Sequence, residues 1–132
     1  MLAIEHASFR QFAYPESLFR LYAADRSTLF LVAETAAGVV GYIIARTDRW
    51  GAELVSLAVD PASRKRGIGR ALLKTAIRRV VRRNARSMRL MVHAANIGAA
   101  GFYRSQGFRA VGRVPGYYED GGAAIRMRLA LG

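Results

Sequence analysis

The chain has 132 residues, 52% of them apolar and 23% charged, which is the composition of one globular domain, residues 1–132, and excludes a disordered or two-domain chain. With no cysteine there is no disulfide framework, thiolate zinc site or cysteine nucleophile, and two distant histidines argue against a histidine metal site. Lys and Arg number 21 against 9 Asp and Glu, a net +12 that asks for an anionic partner.

The N-terminus, Met1-Leu2-Ala3-Ile4-Glu5-His6, has no basic segment ahead of an apolar stretch, so a cytoplasmic location without a secretory leader is expected. No apolar run approaches the ~20 residues of a membrane span. Apolar residues at Ile4, Ala7, Phe9 and Phe12 have helical spacing over residues 4–13, and a second short helix is expected over 16–22, after Pro15. Residues 27–34 and 39–47 read as strands of one hairpin around Ala37-Gly38. A third strand covers 53–59 and ends at Asp60-Pro61. Residues 67–83 form a long helix with Ile68, Leu72, Leu73, Ala76, Ile77, Val80 and Val81 on its buried stripe. A strand follows at 87–94, then a helix at 97–105 capped by Asn96 and stopped at Gly107. Strands 108–114 and 123–131 close the chain around the loop 115–122. The order implies an α/β fold, a mixed sheet covered by helices on both faces.

The cations are concentrated. From Arg64 to Arg89 the chain carries Arg64, Lys65, Arg66, Arg70, Lys74, Arg78, Arg79, Arg82, Arg83, Arg86 and Arg89 with no acidic residue among them. Such a block fits phosphates, nucleic acid, a ribosome surface or an acidic membrane, and its distal part equally fits a solvated helix face.

The proximal part lies where a strand, Leu57-Ala58-Val59-Asp60-Pro61, runs into a basic turn that opens the long helix. Free N–H groups and the positive end of the dipole make a helix start an anion site. Gly67 and Gly69 let an anion approach the backbone, and Arg64, Lys65, Arg66 and Arg70 add positive charge. Neither a Walker A loop nor a dinucleotide fingerprint is present, and spacing alone fits an ordinary tight turn as well.

Arg64-x-x-Gly67-x-Gly69 resembles the Q/R-x-x-G-x-G/A motif of the GCN5-related N-acetyltransferase (GNAT) superfamily. The likeness extends through the preceding strand, Ala71-Leu72-Leu73, and Asn96-x-x-Ala99-x-x-Phe102-Tyr103-x-x-x-Gly107-Phe108, over roughly residues 4 to 131. Within the superfamily the chain is most similar to RimI-type ribosomal-protein alanine N-acetyltransferases, notably at Gly116-Tyr117-Tyr118 and the final strand.

The resemblance implies an acetyl-CoA site without metal. The pyrophosphate would sit on Lys65, Arg66, Gly67, Ile68, Gly69 and Arg70; the pantetheine arm would pair with Leu57, Ala58 and Val59 where parallel strands splay. Asn96 would hydrogen-bond the arm, and Tyr103 would lie near the sulfur. The acceptor groove would include Tyr117 and Tyr118, with Glu119 and Asp120 suiting a cationic amine. The implied acceptor is the N-terminal α-amine of a protein such as a ribosomal protein, with a small-molecule amine second.

Acetyl transfer needs a base, an oxyanion donor and an acid. A backbone N–H around Ala58 would supply the second and the Tyr103 phenol the third. The base is a departure, because RimI-type enzymes carry glutamate where this chain has Met91. Glu53 is the expected replacement, on a strand whose alternation sets Glu53, Val55 and Leu57 on one face. His93, about 7 Å beyond Met91 on the same face, is either an alternative base or a satisfied histidine. Water-relayed deprotonation is the fallback.

Family members usually begin with a strand, for which Met1-Leu2-Ala3 is too short. A missing first strand would leave residues 28–34 at a sheet edge, exposed or covered by a homodimer, unless the start is truncated. Two other readings stay open: a nucleic-acid or ribosome-binding module using Arg78, Arg79, Arg82, Arg83 and Arg86, alone or as docking beside acetylation, and a weak acyl-CoA binder without turnover.

Overall fold

A computed structural model describes residues 5–10, 18–23, 27–36, 38–61 and 67–132. Its strands are β1 (Glu5–Arg10), β2 (Leu18–Ala23), β3 (Thr28–Thr35), β4 (Gly38–Asp48), β5 (Gly51–Val59), β6 (Ser87–His93), β7 (Arg109–Val114) and β8 (Ala124–Ala130); its helices are α1 (Ile68–Arg82) and α2 (Ile97–Ser105). They form one eight-stranded sheet in the order β1-β2-β3-β4-β5-β6-β8-β7. Every neighbouring pair is antiparallel except β5 and β6.

From Thr28 onward the expected elements stand within a residue or two of their predicted bounds, and the mixed α/β sheet is borne out. The N-terminal third differs. Where helices were expected, residues 5–10 and 18–23 are strands, with Ala7 opposite Leu21 and Phe9 opposite Phe19. Ala7-Ser8-Phe9-Arg10 alternates apolar and polar, so the same residues fit a period of 2 as well as 3.6, and pairing with β3 decides between them. The remainder of both expected helices lies outside the described residues.

Three corrections follow. Two strands, β1 and β2, precede β3 where none was expected. β2 pairs with β3 from Leu18 opposite Glu34 to Tyr22 opposite Phe30, so β3 is not an edge and the reason for a covering dimer disappears. The described helices lie on one face of the sheet, not on both. α1 packs against β3, β4 and β5, and a Cβ on Gly69 of α1 would lie 3.7 Å from the Phe102 ring of α2.

One apolar cluster fills the space beneath the two helices. Leu29 and Leu31 of β3, Ile43 of β4 and Met88 of β6 meet Leu72, Leu73 and Ala76 of α1 there, all fully buried. Each such leucine contributes about 2 kcal/mol of burial. Val81, expected on the buried stripe, is exposed, because the stripe turns from Ala76 to Val80 one helical step away. α2 is capped as expected: Asn96 Oδ1 accepts from the Ala99 N–H at 3.1 Å. Gly107, at φ 99°, then takes the left-handed turn that releases the chain into β7.

Candidate active site

The site begins where the one parallel pair among the described strands stops pairing. β5 and β6 are joined at Ala52–Met88 and Glu53–Arg89 and nowhere beyond. Residues 54–59 and 90–93 therefore run on with backbone groups turned toward an opening between two strands of one sheet. In open α/β sheets ligands bind beyond the carboxyl ends of parallel strands. Here that end gathers the entry to α1, the cap of α2 and the loop 115–122.

β5 also carries a bulge. Ser56 is opposite Ile44 while Leu54 is opposite Ala45, so Val55 is the extra residue. The expected face of Glu53, Val55 and Leu57 is corrected accordingly. Glu53, Ser56 and Ala58 stand opposite Arg46, Ile44 and Tyr42 on the sheet's open face, away from the helices, whereas Leu57 stands opposite buried Ile43. Glu53 sits at the last paired position before the opening, on the same face as Met91 and His93.

Two polar side chains here escaped sequence reasoning. Ser56 Oγ donates to the Tyr42 hydroxyl at 3.3 Å, and Tyr42 meets Phe30 edge to face with centroids 6.0 Å apart. Only knowledge of the bulge brings Ser56 to this face.

α1 opens without a conventional cap. Gly67, at φ 77°, offers no side chain, and the first turn contains no acidic residue but does contain exposed Arg70. Helix starts usually favour carboxylates and disfavour cations. A first turn with the opposite character fits an anion supplied from outside, so a diphosphate suits these residues. Ile68 is buried and can offer only its backbone, while Gly69 has no side chain, and a Cβ added there would stand 3.6 Å from Val59 Cγ2 and 3.7 Å from the Phe102 ring. Lys65 and Arg66 lie outside the described residues. Among the described residues no group of three or more His, Asp or Glu could hold a metal.

Tyr103 is buried between Phe102 and Phe108, with centroid distances of 5.4 and 5.7 Å. Burial raises its phenol above the usual value of 10.0, so the hydroxyl keeps its proton at any ordinary pH. Asn96 commits Oδ1 to the helix cap, leaving its amide N–H groups for a ligand.

His93 is the satisfied histidine rather than the base. Nδ1 accepts from the Ala95 N–H at 3.0 Å, which leaves the proton on Nε2, 2.8 Å from Asp120 Oδ2. Both ring nitrogens are thereby used. Tyr118 stacks on the imidazole at 4.7 Å and meets Tyr117 edge to face at 5.0 Å. Asp120, expected to face an amine, instead accepts from His93 and from the Gly122 N–H at 2.7 Å, and these bonds hold its carboxyl below the ordinary aspartate range. Tyr117 and Glu119 remain exposed on the loop.

Comparison with known proteins agrees with this geometry. Residues 3–131 match the sequence model of the acetyltransferase (GNAT) domain family. The chain is 38% identical over 125 residues to an uncharacterized N-acetyltransferase of Methanocaldococcus jannaschii, covering 94% of this chain and 80% of the relative. It is 33% identical to an N-alpha-acetyltransferase of Sulfurisphaera tokodaii, with 89% and 78% covered. Among solved structures, the ribosomal-protein-S18-alanine N-acetyltransferase from Escherichia coli superposes with a TM-score of 0.73 at 30% identity, over 81% of this chain and 71% of that one.

Proposed function

The chain belongs to the GNAT acetyltransferase family, and from that premise we propose that it moves an acetyl group from acetyl-CoA to the N-terminal α-amine of a protein. The single observation that carries the reading is the parting of β5 and β6 after two residue pairs, with the uncapped start of α1 at the same end. The S18-alanine and N-alpha-acetyltransferase relatives support the choice of acceptor over a small-molecule amine.

Acetyl-CoA supplies the activated acetyl group as a thioester. The backbone of Gly67, Ile68 and Gly69 with Arg70 holds the diphosphate, joined in the proposal by Lys65 and Arg66; Leu57, Ala58 and Val59 orient the arm beside the Asn96 amide. Glu53 takes a proton from the incoming ammonium on its carboxylate. Tyr103 holds a proton on Oη for a departing sulfur. Tyr117 and Tyr118 pack the first side chain of the acceptor. An N–H of the bulged strand near Ala58 meets negative charge developing on a carbonyl oxygen, the most effective kind of contribution where water is excluded.

The far half of the cationic block takes no part. α1 is about 22 Å long at 1.5 Å per residue, so Arg78, Arg79 and Arg82 stand well away from its first turn.

The test is thiol release from acetyl-CoA over a panel of N-terminal peptides and small amines, run beside calorimetric titration with CoA. Release with α-amino peptides, together with at least about tenfold weaker CoA binding by Gly69→Glu, is the expected result. Tight CoA binding without release from any amine would identify an acyl-CoA binder instead.

A further inference from the structure

The open face of the sheet carries a file of charge that the transfer reaction does not require. Residues directly opposite one another run Arg46, Glu53, Arg89, Arg128 and Arg109 across β4, β5, β6, β8 and β7. Arg126, two residues before Arg128 on the same face, stands opposite Met91, with its stem over Gly112. Like charges directly opposite in a sheet are destabilising, yet Arg128 lies between Arg89 and Arg109. Arg89 is neutralised by Asp48, Nη2 to Oδ2 at 2.5 Å. Arg46, Arg109, Arg126 and Arg128 are exposed and have no carboxylate partner among the described residues. Beyond Glu53 and the Asp48-paired Arg89, the β8 and β7 end of the file, Arg128 and Arg109 with Arg126 beside them, has no carboxylate partner among the described residues and is suited to negative charge arriving from outside.

Location narrows the ligand. The file crosses the sheet at the last β5–β6 pair, and Arg126 flanks the open stretch of β6. The file therefore marks the closed end of the opening, and Arg126 and Arg128 on β8 border the side from which an acceptor would reach Glu53. A nucleic acid would instead find its charges on α1, which packs on the opposite face. On one strand, Arg126 and Arg128 are about 7 Å apart, the same repeat as alternate residues of an extended peptide. Glu53 lies in the same file, beside Arg89, where it can meet an ammonium.

We propose that the preferred acceptor is a protein N-terminus with acidic side chains at alternate positions just after its first residue, their carboxylates over Arg126 and Arg128 and its α-amine at Glu53. The proposal rests on the acetyl-transfer reading and adds the substrate class. The test uses peptides with a common N-terminal serine and Glu, Gln or Lys at positions 2 and 4, followed by thiol release. The expected kcat/KM order is Glu, Gln, Lys, with Glu over Lys by about tenfold at low ionic strength and a ratio nearing one at about 0.5 M salt. Arg126→Glu with Arg128→Glu reverses the order. Arg126→Gln with Arg128→Gln, a milder pair, flattens it. Equal use of the three peptides, or a Glu preference that survives charge reversal, overturns the substrate class and leaves acetyl transfer standing. Thiol release from none of them, nor from any other amine, overturns the transfer reading itself. Single-stranded RNA binding lost in the Arg126/Arg128 variants, with no Glu preference in turnover, overturns the proposal in favour of a nucleic-acid face.

Discussion

His93 and Asp120 are joined at 2.8 Å between Nε2 and Oδ2, a contact that ties the 115–122 loop to the open stretch of β6. The contact depends on a glycine. A Cβ on Gly122 would lie 2.3 Å from His93 Nε2 and 2.4 Å from Cε1, nearer than real atoms approach. Gly122→Ala must therefore push the imidazole or the loop aside and unseat Tyr118 from its stack. The expected outcome is a rise of about tenfold in KM for peptide acceptors, with CoA affinity unchanged by calorimetry.

The same tie has a defined pH range. Hydrogen bonds from Gly122 and His93 lower the Asp120 pKa below its ordinary value. A depressed carboxyl contributes fully above its unfolded value of about 3.9 and loses that contribution as pH falls through its folded value. The loop should stay fastened at neutral pH and loosen only below about pH 4. Tyrosine near-ultraviolet circular dichroism followed down an acid titration reads this, and Asp120→Asn should remove the acid transition belonging to the loop.

Tyr103 should act through its proton alone. Its ring is packed between Phe102 and Phe108, and burial holds the phenol neutral past its usual range. Tyr103→Phe keeps the packing and removes the proton, so kcat should fall about 10²-fold while CoA binding persists. Because the folded value is raised, the wild-type rate should show no alkaline decline from this group below about pH 10.

Glu53 and Met91 can be tested together. Glu53 stands at the last paired position of β5, with Met91 on the same face of β6. Glu53→Gln should lower kcat by about 10²-fold. Met91→Glu in that background, facing Arg126, should restore part of the rate. An unchanged kcat in Glu53→Gln would assign deprotonation to water.

The sequence was most legible where one pattern served one purpose. α1 and α2 carry a 3.6 period, Asn96 sits three residues before the Ala99 N–H it accepts from, and Gly107 adopts the positive φ its place as a helix stop suggested. β1 and β2 were misread because Ala7, Phe9, Phe19 and Leu21 satisfy either period, and only pairing with β3 selects one. The side of the sheet that Glu53 shares with Ser56 was hidden because one bulge residue, Val55, inverts every side chain after it. The arginine file joins five strands, so no sequence window contains it. The engagement of His93 likewise depends on a loop that returns 27 residues later.

Gly41 links the stability of the fold to the site. A Cβ there would meet the Ala58 carbonyl oxygen at 2.9 Å, Leu72 Cδ1 at 3.3 Å and Val59 Cγ2 at 3.3 Å. The nearest obstacle is backbone, which cannot swing away as a side chain can, so Gly41→Ala forces β4 and the end of β5 apart beneath α1. Overpacking of this kind costs about 1–3 kcal/mol, and the strand displaced is the one proposed to carry the pantetheine arm. Urea denaturation should show a lower midpoint, and calorimetry should show weaker CoA binding in the folded protein. Gly112→Ala provides the contrast, since its nearest neighbour is the Arg126 stem at 3.6 Å and its φ is not positive. That variant should unfold within about 0.5 kcal/mol of the parent, and equal losses from the two substitutions would refute the backbone contact at Ala58.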